Sequence, residues 1–145
     1  MRFIKLLSRL LVVLALVLPV FAVTSNEASA AGRKRIVVSL AQQRVYAYEG
    51  NTIVFSTHAN IRGARRGTFR VQTKLPMAKS FALGWRLPYW LGIYYAGGLE
   101  NGFHGYSLRD GGGIATNSLG CIVMPTAAAA MLYRWAPMGT PVVIQ

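Results

Sequence analysis

The stretch "RIVVSLAQQRVYAYEGNTIVFSTHA", Arg35 to Ala59, sets the fold class. Ile36, Val38 and Leu40 recur at every second position, the period at which a strand returns to one face. The run that follows is β-branched and aromatic on both sides of Glu49-Gly50-Asn51, so it reads as a hairpin with its turn at those three residues. Downstream, "GTFRVQTK" alternates again through Phe69, Val71 and Thr73. The N-terminal half of the domain is therefore expected to be β-rich.

Leu75 to Gly102, "LPMAKSFALGWRLPYWLGIYYAGGLENG", keeps neither the strand nor the helix period for long and is dense in Gly, Pro, Trp and Tyr. It reads as loops with a short strand around Gly92 to Tyr95. After Cys121, "PTAAAAMLYRWA" sets Pro125 at a helix N1 position ahead of four alanines, so a short helix is expected to run to about Trp135. "GTPVVIQ" closes the chain as a strand. No internal repeat or low-complexity segment interrupts this order.

At the other end, Arg2, Lys5 and Arg9 precede fourteen apolar residues, Leu10 to Val23, and then "TSNEASA", in which Ala28 and Ala30 flank Ser29 as a cleavage signal. Fourteen helical residues span only ~21 Å, short of a bilayer core of ~30 Å. Residues 1–30 therefore read as a secretory signal peptide and 31–145 as one domain, exported to the periplasm or cell envelope. A retained anchor is the alternative. Setting Arg2, Lys5, Arg9 and Glu27 aside from 16 basic and 4 acidic residues leaves 13 and 3, a net charge of +10 for the domain. Export argues against nucleic acid as the partner of so cationic a surface. Acidic envelope polymers, an anionic membrane surface or carboxylate-bearing substrates suit it better. A monomer is expected.

Cys121 is the only cysteine. It can make no internal disulfide, which leaves a buried inert thiol, an intermolecular bridge or a nucleophile. The Gly-rich "RDGGGIATNSLG" leads into it and a helix follows, so backbone N–H groups are expected to converge near the thiol as an oxyanion hole requires. Gly120 suits a tight turn there. A nucleophilic thiol needs a base, and the chain has two histidines, His58 in a strand and His104, 17 residues before the cysteine. The bland reading of His58 is an ordinary strand histidine. Paired metal-ligand spacing is missing, Glu49, Glu100 and Asp110 show no evident pairing, and nothing calls for a metal or a cofactor.

"FHG" at Phe103 to Gly105, "SLGCIVM" at Ser118 to Met124, and "GTPVVI" at Gly139 to Ile144 together resemble the catalytic region of the YkuD-type L,D-transpeptidases. "RIVVSLAQQRVYAYEGN" and "RGTFRVQTK" are similar to the opening strands of that domain, so the resemblance covers nearly all of 31–145. It implies a mainly β fold, a sandwich of mixed sheets with a short helix after the cysteine loop. It also implies cysteine acyl transfer on peptidoglycan stem tetrapeptides: the thiolate attacks the carbonyl of the third residue, usually a diamino acid, and expels the terminal D-alanine. Cross-linking, hydrolysis or anchoring follows from the acceptor.

Carried over by position, the resemblance makes Cys121 the nucleophile and His104 the base, oriented by the Gly105 carbonyl. Ser118 supports the loop or contacts substrate, and the N–H groups of Gly120 and Cys121 are oxyanion donors. Leu119 and Val123 stand where many members carry polar residues, and Arg109 or Arg86 is a candidate to compensate. Tyr89 and Trp90, after Pro88, are the first candidates for substrate contact, ahead of Trp85, Tyr94 and Tyr95. A non-catalytic peptidoglycan-binding module, or an inactive relative, is the alternative reading.

Overall fold

A computed structural model describes residues 33–80 and 83–145; the leader expected at 1–30 lies outside the described residues. Strands β1 (Lys34–Ser39), β2 (Arg44–Glu49) and β3 (Thr52–His58) form an antiparallel meander, with Glu49 paired to Thr52 across the expected turn. Gly50 there has φ +58°, a conformation that costs glycine little. The closing strand β11 (Pro141–Ile144) lies parallel to β1 and antiparallel to β4 (Gly67–Arg70), which gives the order β3-β2-β1-β11-β4.

The second sheet is built from the segment that keeps no clear period. β5 (Thr73–Ser80), β6 (Trp85–Ala96) and β7 (Leu99–Gly105) run antiparallel, joined by the short strands β8 (Ser107–Leu108) and β9 (Ile114–Ala115). β10 (Ile122–Met124) lies parallel to β7 and completes the order β10-β7-β6-β8-β9, with β5 on the other edge of β6. The expectation of loops with one short strand is thus overturned. Leu87, Trp90, Leu91 and Ile93 are all buried on β6, so both of its faces are covered and the one-in-two alternation disappears. Pro76 and Tyr89 face each other where the β5–β6 pairing lapses, and Tyr89 takes φ +60°. Pro76 and Pro88, the latter paired with Met77, therefore mark an irregularity inside long strands.

The sheets pack through Ile36, Val38, Val45, Val142 and Ile144 from one and Leu91, Phe103, Ile122 and Met124 from the other. Full burial of a side chain such as Phe103 or Leu91 stabilises the fold by roughly 2–3 kcal/mol. Helix α1 (Thr126–Trp135) adds Ala129 and Leu132 to this core. Pro125 is its N-cap, one position earlier than expected. At the far end the Lys34 and Lys74 ammonium groups donate to the carbonyls of Trp135 and Ala136 at 2.9 and 2.8 Å. These cations suit the negative end of the helix dipole. The mainly β fold with mixed sheets and one short helix agrees with the reading of the sequence.

Candidate active site

Strand register assembles the site. Leu91, Phe103 and Ile122 are register partners across β6, β7 and β10, and all three are turned into the core. Their neighbours must then point to the opposite face. His104 pairs with Val123 in the parallel ladder, while its imidazole stacks on the Trp90 ring with centroids 5.8 Å apart and planes inclined by 23°. One step the other way, Gly92 pairs with Gly102. Extending the β7–β10 register by one residue sets Cys121 beside Gly102, on the same face as His104. One strand spacing and one two-residue step separate their Cα atoms, roughly 8 Å. Imidazole and thiol are therefore diagonal neighbours on adjacent strands.

His104 is 3% exposed, and its Nδ1–H donates to the Gly105 carbonyl at 2.6 Å, which leaves Nε2 as the free acceptor. Burial disfavours the imidazolium and lowers the His104 pKa to about 4, against a smaller opposing pull from the Gly105 carbonyl. Burial pushes the Cys121 thiol up, opposed by a hydrogen bond from the Gly102 backbone and assisted by the Glu100 charge. At neutral pH both groups rest uncharged. The thiol lies 3.7 Å from Asn101 Oδ1 in this conformation.

The loop that carries the thiol is held from two sides. Ser118 is buried, and its hydroxyl lies 2.9 Å from the Arg62 carbonyl and 2.5 Å from the Cys121 carbonyl while accepting the Gly120 N–H at 3.2 Å. The Tyr94 hydroxyl donates to the Gly120 carbonyl at 2.7 Å and accepts the Arg65 N–H at 3.1 Å. Gly120 itself has φ +134°, and a Cβ there would stand 2.6 Å from Asn101 Oδ1. No other residue fits that turn without strain. Because the Gly120 N–H is occupied by Ser118, Gly120 acts in this conformation as a loop brace. The helix expected just behind the thiol is corrected in place: β10 intervenes, so the start of α1 lies about three strand residues, ~10 Å, beyond Cys121.

Cys121, His104, Ser118, Gly120 and Trp90 line one groove of about 690 Å³, together with Glu100 and Asn101. Val123 lines it too, but is 1% exposed and tied by its backbone to Asn60 at 2.7 and 2.9 Å. Leu119 stands on the rim, 77% exposed. Tyr89 does not reach the groove: its left-handed backbone turns the ring toward Tyr133 of α1, centroids 5.9 Å apart. Arg109 stays behind the lining, its guanidinium 5.2 Å from the ring centre of Trp85, which does line the groove. Arg86 is 4.0 Å from Asp110, and His58 lies on a different depression bordered by Gln43 and Arg62. Gly105 serves through its carbonyl and through its size, because a Cβ there would come within 3.0 Å of the Thr126 Cα.

Sequence reasoning missed Glu100 and Asn101. The one signal was "EN" standing immediately before "GFHG", two polar residues at the mouth of an otherwise buried strand.

Comparison with known proteins agrees with this fold. Residues 33–144 match the model of the YkuD family, described as the L,D-transpeptidase catalytic domain. No curated protein matches the chain. Among solved structures, similar folds are found in a fused Zn-dependent amidase/peptidase/peptidoglycan-binding domain-containing protein from Clostridium acetobutylicum ATCC 824, with 21% identity, a TM-score of 0.60, and coverage of 82% of this chain and 59% of that one. An L,D-transpeptidase from Mycobacterium smegmatis shows 18% identity and a TM-score of 0.58, covering 78% and 58%. One from Xylanimonas cellulosilytica DSM 15894 shows 24% identity and a TM-score of 0.58, covering 79% and 61%. At these identities the likeness is one of fold, and the chain spans about three fifths of the length of these solved relatives.

Proposed function

Since the chain belongs to the L,D-transpeptidase catalytic domain family, we propose that it is an exported L,D-transpeptidase that acts on peptidoglycan stem tetrapeptides through a thioester on Cys121. The observation that carries this reading is the pairing in one groove of a lone thiol with an imidazole whose Nδ1–H is held by the Gly105 carbonyl. That bond presents Nε2 as a base without any carboxylate, in keeping with a chain so poor in acids.

The chemistry runs in two halves. As Sγ attacks the carbonyl carbon of the third stem residue, its proton passes to His104 Nε2, and the C–S bond forms. Collapse of the tetrahedral intermediate breaks the bond to the terminal D-alanine, whose nitrogen takes the proton from Nε2. An acceptor amine then attacks the thioester carbon and gives its proton to Nε2. The C–S bond breaks and the proton returns to sulfur. Because thiol and imidazole both rest neutral, the proton moves as the bond forms. The Cys121 N–H is left to serve as the oxyanion donor, since Ser118 engages that of Gly120.

Incubation with purified disaccharide-tetrapeptides followed by mass analysis tests the reading and identifies the acceptor. Loss of D-alanine with a cross-linked product supports transpeptidation, and loss with water added indicates a carboxypeptidase. A carbapenem that fails to add to Cys121, together with unchanged tetrapeptide, would refute the enzymatic role.

A further inference from the structure

The described residues contain three acidic side chains against a large excess of basic ones, and two of the three have a cation beside them. Glu49 lies 3.9 Å from Lys34, and Asp110 lies 4.0 Å from Arg86. Glu100 takes part in neither pair. It stands in the groove that holds the thiol, half-buried, and is fixed by neutral donors alone. Gln72 Nε2 and Thr73 Oγ1 donate to its Oε1 at 3.0 and 2.7 Å, and Trp90 Nε1 donates to its Oε2 at 3.3 Å. Gly92 makes room for it: a Cβ there would come within 2.2 Å of Glu100 Oε1.

A carboxylate accepts about four hydrogen bonds, so three neutral donors orient this one and leave an open position on Oε2 with the negative charge uncompensated. Charge-assisted donation from an ammonium is the strongest contact that position can make. In a protein this cationic, a free carboxylate in the reaction groove selects for a positive group on the ligand. Arg65 and Lys79 line the same groove and are exposed, so it offers both signs of charge. A diamino residue in a peptide with a free carboxylate fits that distribution.

Resting on the transpeptidase reading above, we propose that Glu100 is a specificity-determining residue that receives the side-chain ammonium of the donor stem's third, diamino residue, with Arg65 and Lys79 facing its carboxylates. The bound group is the donor's and not the attacking amine of the acceptor, because an amine held as ammonium by a carboxylate has no lone pair with which to attack.

Binding, measured without turnover, tests this. Two tetrapeptides are titrated calorimetrically into Cys121→Ala protein, one with the free side-chain amine and one with that amine acetylated, and the titrations are repeated with Glu100→Gln and Glu100→Asp added. The expected result is about tenfold tighter binding of the free amine, a preference lost in Glu100→Gln, retained in part in Glu100→Asp, and reduced by salt. Equal affinity for the two peptides in the Cys121→Ala protein overturns the proposal. So does an equal loss for both in Glu100→Gln, which would make Glu100 a support for Trp90 and nothing more. Binding of neither peptide overturns the proposal together with the peptidoglycan reading, whereas binding of both alike leaves that reading standing.

Discussion

Lowering the pH from 7.5 to 4.5 should destabilise this domain through His104. The imidazole is 3% exposed, stacked against Trp90, and its pKa is lowered from the ordinary 6.5 to about 4 by burial. In the unfolded chain the ring is hydrated and takes up a proton near the ordinary pH. Below that pH the unfolded state binds a proton that the native state refuses, so stability present above about 6.5 is lost progressively as the pH falls toward 4. At about 1.4 kcal/mol per pH unit, the whole interval costs about 3.5 kcal/mol and the part above pH 4.5 about 2.5 kcal/mol, a large share of the 5–15 kcal/mol typical of a domain. The assay is urea unfolding at pH 7.5, 6.0, 5.0 and 4.5, on the natural chain and on His104→Gln, whose amide can still donate to the Gly105 carbonyl but cannot titrate. The natural chain should lose about 2.5 kcal/mol more than the variant over this range, and the ring-proton resonance of His104 should titrate near pH 4. Parallel stability curves would refute the reasoning, since they would mean that the native imidazole accepts a proton as readily as a hydrated one.

Cys121→Ala should abolish thioester formation and D-alanine release while the melting temperature barely moves, because the thiol faces the groove rather than the core; retained turnover in that variant would sink the nucleophile assignment. Val123→Arg should destabilise by about 3 kcal/mol and lower activity with it, since Val123 is 1% exposed and its backbone is locked to Asn60, and a stable variant in thermal unfolding would show the site to be more open than this. Tyr94→Phe should cost 1–2 kcal/mol or so and slow carbapenem acylation by about tenfold, because the Gly120 carbonyl and the Arg65 N–H lose their shared partner; unchanged melting and acylation would remove that brace from the account. Thioester formation should climb steadily from pH 6 to 9, as burial holds the thiol protonated, and a rate maximum near pH 6.5 in stopped-flow acylation would contradict a neutral resting pair.

The hairpin at Glu49-Gly50-Asn51, the closing strand at Pro141–Ile144 and the helix behind the cysteine were legible from the residues alone. Each is specified locally, by a two-residue period, a turn glycine, or a proline ahead of helix-forming alanines. The candidates Cys121 and His104 were legible too, being a unique thiol and one of two imidazoles. Local sequence could not specify β5, β6 and β7, because β6 is covered on both faces and its residues answer to packing rather than to water on one side. It could not assign Tyr89 to the helix side and Trp90 to the groove, a choice made by a left-handed backbone opposite Pro76. Nor could it join Glu100, Asn101 and Cys121, which meet only through the parallel register of β7 and β10. Residue chemistry was determined by the sequence itself. The choice of which residues act together was left to the tertiary structure, because strand pairing brings side chains far apart in the chain to within one strand spacing of each other.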